Sequence, residues 1–192
     1  KKKDGGEIYT PSKSELNFLK IKEVKDWFEF NKPNVVIIAA AKVGGILANS
    51  LYPTEFLLEN LTIQTNIIKT AWDCKVKRLL FLGSSCIYPK FAQQPIQEEA
   101  LLTGELEKTN EAYAIAKISG IKLCESLRFQ YGFDAISLMP TNLYGEGDNY
   151  DLQYSHVMAS YIRKFYEAQK YSYKSITCWF TGTPLREFLH VD

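Results

Sequence analysis

The chain has 192 residues, of which 46% are hydrophobic, so it can form one sizeable core but is too short for two ordinary domains. Its 23 basic and 22 acidic residues leave a net charge of +1, which argues against a general binding surface for nucleic acid or anionic lipid. The longest apolar run, residues 35–41, is much shorter than the ~20 residues of a membrane helix. We therefore expect a soluble, cytoplasmic protein with no nucleic-acid partner and no membrane partner.

The cysteines indicate reduced thiols. Cys74, Cys86, Cys124 and Cys178 lie far apart in sequence without a Cys-x-x-Cys spacing, and the chain has only 2 histidines. This pattern predicts neither a disulfide framework nor a metal site. Core packing is the expected role of Cys74, Cys124 and Cys178, because their neighbours are apolar.

Helical and strand patterns alternate along the chain after a polar start. Apolar periodicity, together with proline and asparagine at the expected ends, predicts helices over residues 21–30, 53–72, 110–131 and 155–169. Short apolar runs predict strands over residues 35–39, 78–82, 135–139 and 175–180. A loop rich in proline and glutamate, residues 89–110, precedes the third helix.

This alternation predicts an α/β fold with a Rossmann-like, doubly wound parallel sheet. Such folds normally open with a strand that leads into a glycine-rich turn. Here Gly5 and Gly6 follow a basic run, and Gly44 and Gly45 lie in a different context. We therefore expect either a fragment that lacks the first βα unit or a chain without the usual glycine-rich cofactor clamp, and we favour the fragment.

A hydroxyl, a phenol and an ammonium are predicted to meet at one edge of this sheet. Tyr113 and Lys117 are four residues apart, so they leave the same helix face, and the ammonium is expected to favour ionisation of the phenol. Ser84 follows the strand 78–82, and ligand groups in such sheets gather at the carboxyl ends of strands. A solvated helix face is the alternative interpretation of Tyr113 and Lys117 when they are considered alone.

The chain resembles the GDP-L-fucose synthases, a family of extended short-chain dehydrogenases/reductases, over residues 12–192. Cys86 and His156, together with the run Ala-Lys-Val-Gly-Gly-Ile, point to this family more specifically than Tyr-x-x-x-Lys does. The motifs that carry the resemblance are residues 39–46, 83–89, 113–117, 140–145, 155–157 and 183–192.

The resemblance implies a GDP-4-keto-6-deoxymannose substrate and NADP(H) as cofactor. In the implied reaction the sugar is epimerised at C3 and C5, and NADPH then reduces its 4-keto group to give GDP-L-fucose. Ser84 and Tyr113 would donate hydrogen bonds to the ketone oxygen, Cys86 would be the base and His156 the acid. Lys117 would support both Tyr113 and the nicotinamide ribose. The main alternative for Cys86 is that it is a small residue that fills space in the core. For His156 the alternative is a role in helix capping or packing.

The resemblance also implies binding residues and a domain division. The implied cofactor-binding residues are Lys13, Asn17, Ala39, Ala40, Val43, Lys117, Pro140 and His156. The implied substrate-binding residues are Asn142, Lys164 and Arg186. Residues 1–192 would then form a partial NAD(P)-binding domain lacking most of the C-terminal substrate domain, with residues 146–170 and 181–192 starting the substrate-binding region. His190 is expected to be structural.

Two other functions remain open on the sequence. Another extended reductase of nucleotide sugars, such as a 4-epimerase or a 4,6-dehydratase, would share the tyrosine and lysine but would not need the pair Cys86 and His156. A non-catalytic remnant would keep only the fold and its association. In the family the two long helices, here residues 54–72 and 110–131, pair between subunits, so we expect a homodimer.

Overall fold

The structure, a computed structural model, describes residues 6–151, 155–178, 182 and 187–192 of the chain. Its helices are α1 (Ile21–Asn31), α2 (Ile46–Leu51), α3 (Pro53–Asp73), α4 (Glu111–Tyr131) and α5 (Val157–Lys170). Its strands are β1 (Val35–Ile38), β2 (Arg78–Leu82), β3 (Ala135–Leu138), β4 (Asn142–Tyr144) and β5 (Phe188–His190). Single 3₁₀ turns at Ser85–Ile87 and Glu98–Ala100 lie between β2 and α4.

The main sheet has the order β1-β2-β3, and both strand pairs are parallel. Parallel neighbours need crossover connections, which α2 and α3 supply between β1 and β2, and α4 supplies between β2 and β3. Ile37, Leu80 and Ile136 share one register row across the strands. The predicted parallel α/β architecture of the Rossmann type is confirmed.

The core lies between this sheet and the paired helices α3 and α4. Phe81 of β2 is 1% exposed, and a Cβ at Gly120 of α4 would come within 2.5 Å of its ring. Glycine at this position therefore sets how closely α4 approaches β2. On the opposite sheet face, Val35, Ile37 and Leu138 are exposed.

Local signals explain where the helices end. The backbone at Lys32 is left-handed, with a φ of 45°, and Pro33 follows, so α1 ends there. Pro53 occupies the first turn of α3, where its missing N–H leaves no hydrogen bond unmade. Gly132, with a φ of 67°, caps α4 and donates its N–H to the carbonyl of Arg128. No helix among the described residues combines the length and the apolar character needed to cross a membrane.

Three parts of the sequence-based description need correction or addition. The predicted strand 175–180 is wrong as far as it is described: residues 175–178 form no strand, and residues 179–180 lie outside the described part. The predicted core role of Cys178 is also wrong, since this cysteine is exposed, whereas Cys124 is buried as expected and Cys74 packs partly buried against the core. The short elements α2, β4 and β5 were not predicted because runs of three to six residues carry too little periodicity.

Candidate active site

Ser84 and Cys86 are positioned where β2 ends. Ser84 has extended backbone, and the 3₁₀ turn Ser85–Ile87 follows directly. Ile87, with no exposed surface, anchors this turn in the core, while Cys86 remains partly accessible. The turn therefore leaves the hydroxyl and the thiol at the carboxyl end of the sheet, where the sequence placed them.

Tyr113 and Lys117 reach the same place from the first two turns of α4. Lys117 is only 4% exposed. Its Nζ donates a hydrogen bond of 2.8 Å to the carbonyl of Leu82 and lies 4.9 Å from the ring centroid of Phe81. Because Leu82 is the last residue of β2, this bond ties the ammonium to the strand end that leads into Ser84.

The ammonium does not lower the pKa of the phenol as expected. Lys117 Nζ lies 5.8 Å from the ring centroid of Tyr113, and burial raises the pKa of Tyr113, with the charge of a Cys86 thiolate adding to the rise. A hydrogen bond with Ser84 acts in the opposite direction. Tyr113 is therefore a protonated donor near neutrality, and desolvation outweighs the nearby cation.

Burial also shifts the other two ionisable groups of the cluster. It raises the pKa of the Cys86 thiol, an effect opposed by a hydrogen bond with Ser84 and by the charge of Lys117. It lowers the pKa of Lys117 to about 8. The thiol of Cys86 is therefore mostly protonated near neutrality, because desolvation exceeds the favourable contacts.

The loop after β1 lies beside this cluster. It carries Ala39, Ala40 and Val43, of which Ala39 and Val43 are exposed. Phe56 of α3 connects the loop to the tyrosine: its ring is edge-on to Tyr113 at 6.3 Å, and a Cβ at Gly44 would lie 3.0 Å from it. Sequence reasoning missed Phe56, because an aromatic residue on an amphipathic helix carries no signal of its own.

The start of α5 approaches the same loop. A Cβ at Gly45 would lie 3.4 Å from the carbonyl oxygen of Ser155, and His156, the next residue, is the exposed N-cap of α5. Its imidazole makes no capping hydrogen bond. Pro140, two residues past β3, is partly buried near the same edge of the sheet.

The remaining predicted residues have other contacts or lie elsewhere. Asn142 donates from Nδ2 to the carbonyl of Glu187 at 2.9 Å, which joins β4 to the residue before β5. Lys164 donates from Nζ to the carbonyl of Thr177 at 3.2 Å. Lys13 is exposed, and Asn17 accepts the N–H of Leu19 at 3.0 Å. Arg186 lies outside the described residues.

The arrangement therefore gathers a hydroxyl, a thiol, a phenol and an ammonium around the carboxyl end of β2. Two donors of neutral charge, Ser84 and Tyr113, are suited to bind one carbonyl oxygen. Once deprotonated, the thiolate of Cys86 can remove a proton from a carbon beside that carbonyl. Lys117 has three N–H donors, and the hydrogen bonds of the described residues use one of them.

Comparison with known proteins agrees with this chemistry. Residues 3–192 match the model of the NAD dependent epimerase/dehydratase family. The chain is 58% identical over 179 residues to GDP-L-fucose synthase 1 of Arabidopsis thaliana, a match that covers 93% of this chain and 55% of that protein. It is 53% identical over 186 residues to GDP-L-fucose synthase of Escherichia coli (strain K12), covering 97% of this chain and 58% of that protein.

Solved structures show the same likeness. A GDP-L-fucose synthetase from Naegleria fowleri bound to NADP is 31% identical with a TM-score of 0.80, over 93% of this chain and 58% of that one. A GDP-6-OMe-4-keto-L-xylo-heptose reductase from C. jejuni is 33% identical with a TM-score of 0.86, over 94% of this chain and 60% of that one. The chain thus spans a little over half the length of the relatives it matches.

Proposed function

The chain belongs to the NAD dependent epimerase/dehydratase family, and on that premise we propose that it carries the catalytic residues of a GDP-L-fucose synthase. The proposed reaction converts GDP-4-keto-6-deoxymannose to GDP-L-fucose by epimerisation at C3 and C5 and reduction at C4, with NADP(H) as cofactor. The observation that carries the proposal is the meeting of Ser84, Cys86, Tyr113 and Lys117 at one strand end. The names of the Arabidopsis and E. coli relatives support it.

Epimerisation uses the acidity of the carbons beside the ketone. Ser84 and Tyr113 donate hydrogen bonds to the ketone oxygen, which stabilises the negative charge that forms there when a proton leaves C3 or C5. The Cys86 thiolate takes that proton. His156 delivers a proton to the opposite face of the same carbon, so the centre is inverted. The contact of the preceding residue, Ser155, with Gly45 of the loop that follows β1 supports this pairing.

Reduction uses the same tyrosine as the proton donor. The chemistry that NADPH would supply when bound beside Tyr113 and Lys117 is a hydride for C4. Tyr113 gives its proton to the ketone oxygen, and its raised pKa means that this proton is present near neutrality. Lys117 fits the sugar hydroxyls of a bound cofactor, because its buried ammonium has N–H donors beyond the one used by Leu82.

Further residues are assigned to binding by the same proposal. Ala39, Ala40, Val43, Pro140 and His156 line the cofactor, and their positions at the carboxyl ends of β1 and β3 and at the start of α5 support this. Lys13 and Asn17 bind its adenosine end, where a lysine ammonium favours the 2′-phosphate of NADPH. The substrate is held by Asn142, Lys164 and Arg186, and residues 146–170 and 181–192 begin its domain.

Association and location complete the proposal. We propose a cytoplasmic homodimer formed through α3 and α4, acting without a nucleic-acid or membrane partner. The outer faces of these helices support the dimer, since Leu58 is 61% exposed, Ile115 42% and Phe129 95%. The remnant hypothesis predicts the same dimer without ligand binding, so catalysis must be tested separately.

The test is isotope exchange and turnover with three chains. Wild type should incorporate solvent deuterium at C3 and C5 of GDP-4-keto-6-deoxymannose and oxidise NADPH. Cys86→Ser should no longer incorporate deuterium. Tyr113→Phe should reduce the ketone about 10²- to 10⁴-fold more slowly than wild type. A 4-epimerase or 4,6-dehydratase would be indicated if Cys86→Ser left turnover unchanged. Wild type without exchange or turnover would contradict the proposal.

A further inference from the structure

Asn60 of α3 holds the loop that follows β1 by its backbone. Its Oδ1 accepts the N–H of Lys42 at 2.8 Å, and its Nδ2 donates to the carbonyl of the same residue at 3.0 Å. The amide therefore pairs with both backbone groups of one loop residue, as a neighbouring strand would. This contact fixes the middle of the loop against α3.

The side chain of Asn60 is built into the helix as firmly as into the loop. Its Nδ2 also donates to the carbonyl of Phe56 at 2.7 Å, and the residue is 2% exposed. One acceptor and two donors are thus used, and water has almost no access to replace them. A buried amide with this set of partners is costly to alter, because each lost bond leaves a backbone group unpaired.

The same stretch of α3 contacts the catalytic cluster. The carbonyl of Phe56 accepts a hydrogen bond from Asn60 Nδ2. The ring of Phe56 packs edge-on against Tyr113 and also lies against Gly44. Glu59, the residue before Asn60, accepts a 2.7 Å hydrogen bond from Lys42 Nζ. One turn of helix therefore sets the distance between the loop and the tyrosine.

We propose that Asn60 is a positioning residue that fixes the loop of residues 39–45 in the shape in which it meets the cofactor. This inference rests on the proposed function, which assigns Ala39, Ala40 and Val43 to the cofactor site. Without the hydrogen bonds to Asn60, the loop would have to become ordered when the cofactor binds. The entropy lost in that ordering would lower the affinity for the cofactor.

Four chains test the inference by calorimetric titration with NADPH. Asn60→Ala should raise the Kd about ten-fold, which corresponds to about 1.4 kcal/mol. Asn60→Asp should raise it similarly, because aspartate keeps the size and the acceptor but loses both donated bonds. Ile67→Ala, a truncation in the hydrophobic core on the same helix, should lower the melting temperature and leave the Kd within about two-fold of wild type.

Backbone amide exchange provides a readout that does not depend on the cofactor. The N–H of Lys42 should exchange faster in Asn60→Ala than in wild type, and should stay protected in Ile67→Ala under conditions that keep the chain folded.

The outcomes separate the inference from the proposed function. Unchanged Kd values in both Asn60 variants would overturn the inference, as would Kd values that follow melting temperature across all chains. If wild type does not bind NADPH, the proposed function fails for this chain and exchange alone decides: faster exchange in Asn60→Ala supports the loop contact, and equal exchange overturns it.

Discussion

At the scale of single residues, Lys117 places an ammonium where water has almost no access. Its pKa is lowered from the ordinary 10.5 to about 8 by burial, so the folded chain releases this proton earlier than the unfolded chain does. Between these two values the unfolded chain binds more protons, and the free energy of unfolding therefore rises with pH. Below a pH of about 8 the folded chain carries the buried charge, and the destabilisation that this charge causes is then at its maximum.

This linkage predicts the behaviour of Lys117→Met. From about pH 8 to 10.5 the wild type should gain up to about 3 kcal/mol in unfolding free energy relative to the variant, which lacks the group. Urea unfolding across this pH range measures the difference. Lys122→Met, which removes an exposed lysine of the same helix, should follow wild type. Parallel curves for wild type and Lys117→Met would contradict a buried ammonium.

The thiol of Cys86 predicts the pH dependence of epimerisation. Burial raises its pKa above the ordinary 9.0, so near neutral pH the thiolate is a small fraction that grows about ten-fold for each pH unit. The rate of deuterium entry at C3 and C5 should rise with pH from about 7 and flatten above about 8, where Lys117 loses its charge. A rate of deuterium entry that does not change between about pH 7 and about pH 8 would exclude the thiolate as the base.

At the scale of elements, α4 depends on Gly120 to lie against β2. A methyl group there would come within 2.5 Å of the Phe81 ring and 3.0 Å of Gln64 Cδ. Gly120→Ala should therefore lower the unfolding free energy by about 1 to 3 kcal/mol, despite the higher helix propensity of alanine. Chemical denaturation measures this, with the exposed Ser126→Ala as the control expected within about 0.5 kcal/mol of wild type. A Gly120→Ala chain as stable as wild type would show that α4 can move without penalty.

Thr70 of α3 is a position where a substitution should stabilise the chain. It has no exposed surface, and its hydroxyl has no hydrogen-bond partner among the described residues. Thr70→Val keeps the shape and removes a desolvated polar group, so it should raise the unfolding free energy by about 1 kcal/mol. Thermal unfolding provides the measurement. A destabilised variant would mean that the hydroxyl is bonded after all.

The sequence predicted the long elements better than the contacts between them. Short apolar runs predict the strands around Leu80 and Ile136, and periodicity predicts α4. The pKa of Tyr113 could not be predicted, since helical spacing puts Lys117 on the same face but does not reveal that both side chains are buried. Asn60 was missed for a related reason, because its partner Lys42 lies 18 residues away.

At the scale of the whole molecule, the proposed homodimer makes its own prediction. Sedimentation of wild type should give a dimer, and Leu58→Lys or Ile115→Lys should weaken it, because a lysine in a packed helix pair has to lose its water. Phe91→Lys, which alters an 88% exposed residue of the loop between β2 and α4, is the matched control. A wild type that sediments as a monomer would contradict the dimer.

The proposed reduction at C4 requires a nicotinamide cofactor beside Tyr113 and Lys117. Calorimetric titration of the 192-residue chain with NADPH, with NADH in parallel, tests this most directly. The proposed site predicts micromolar binding of NADPH and weaker binding of NADH, because Lys13 favours the additional phosphate. A folded chain that binds neither nucleotide would contradict the account.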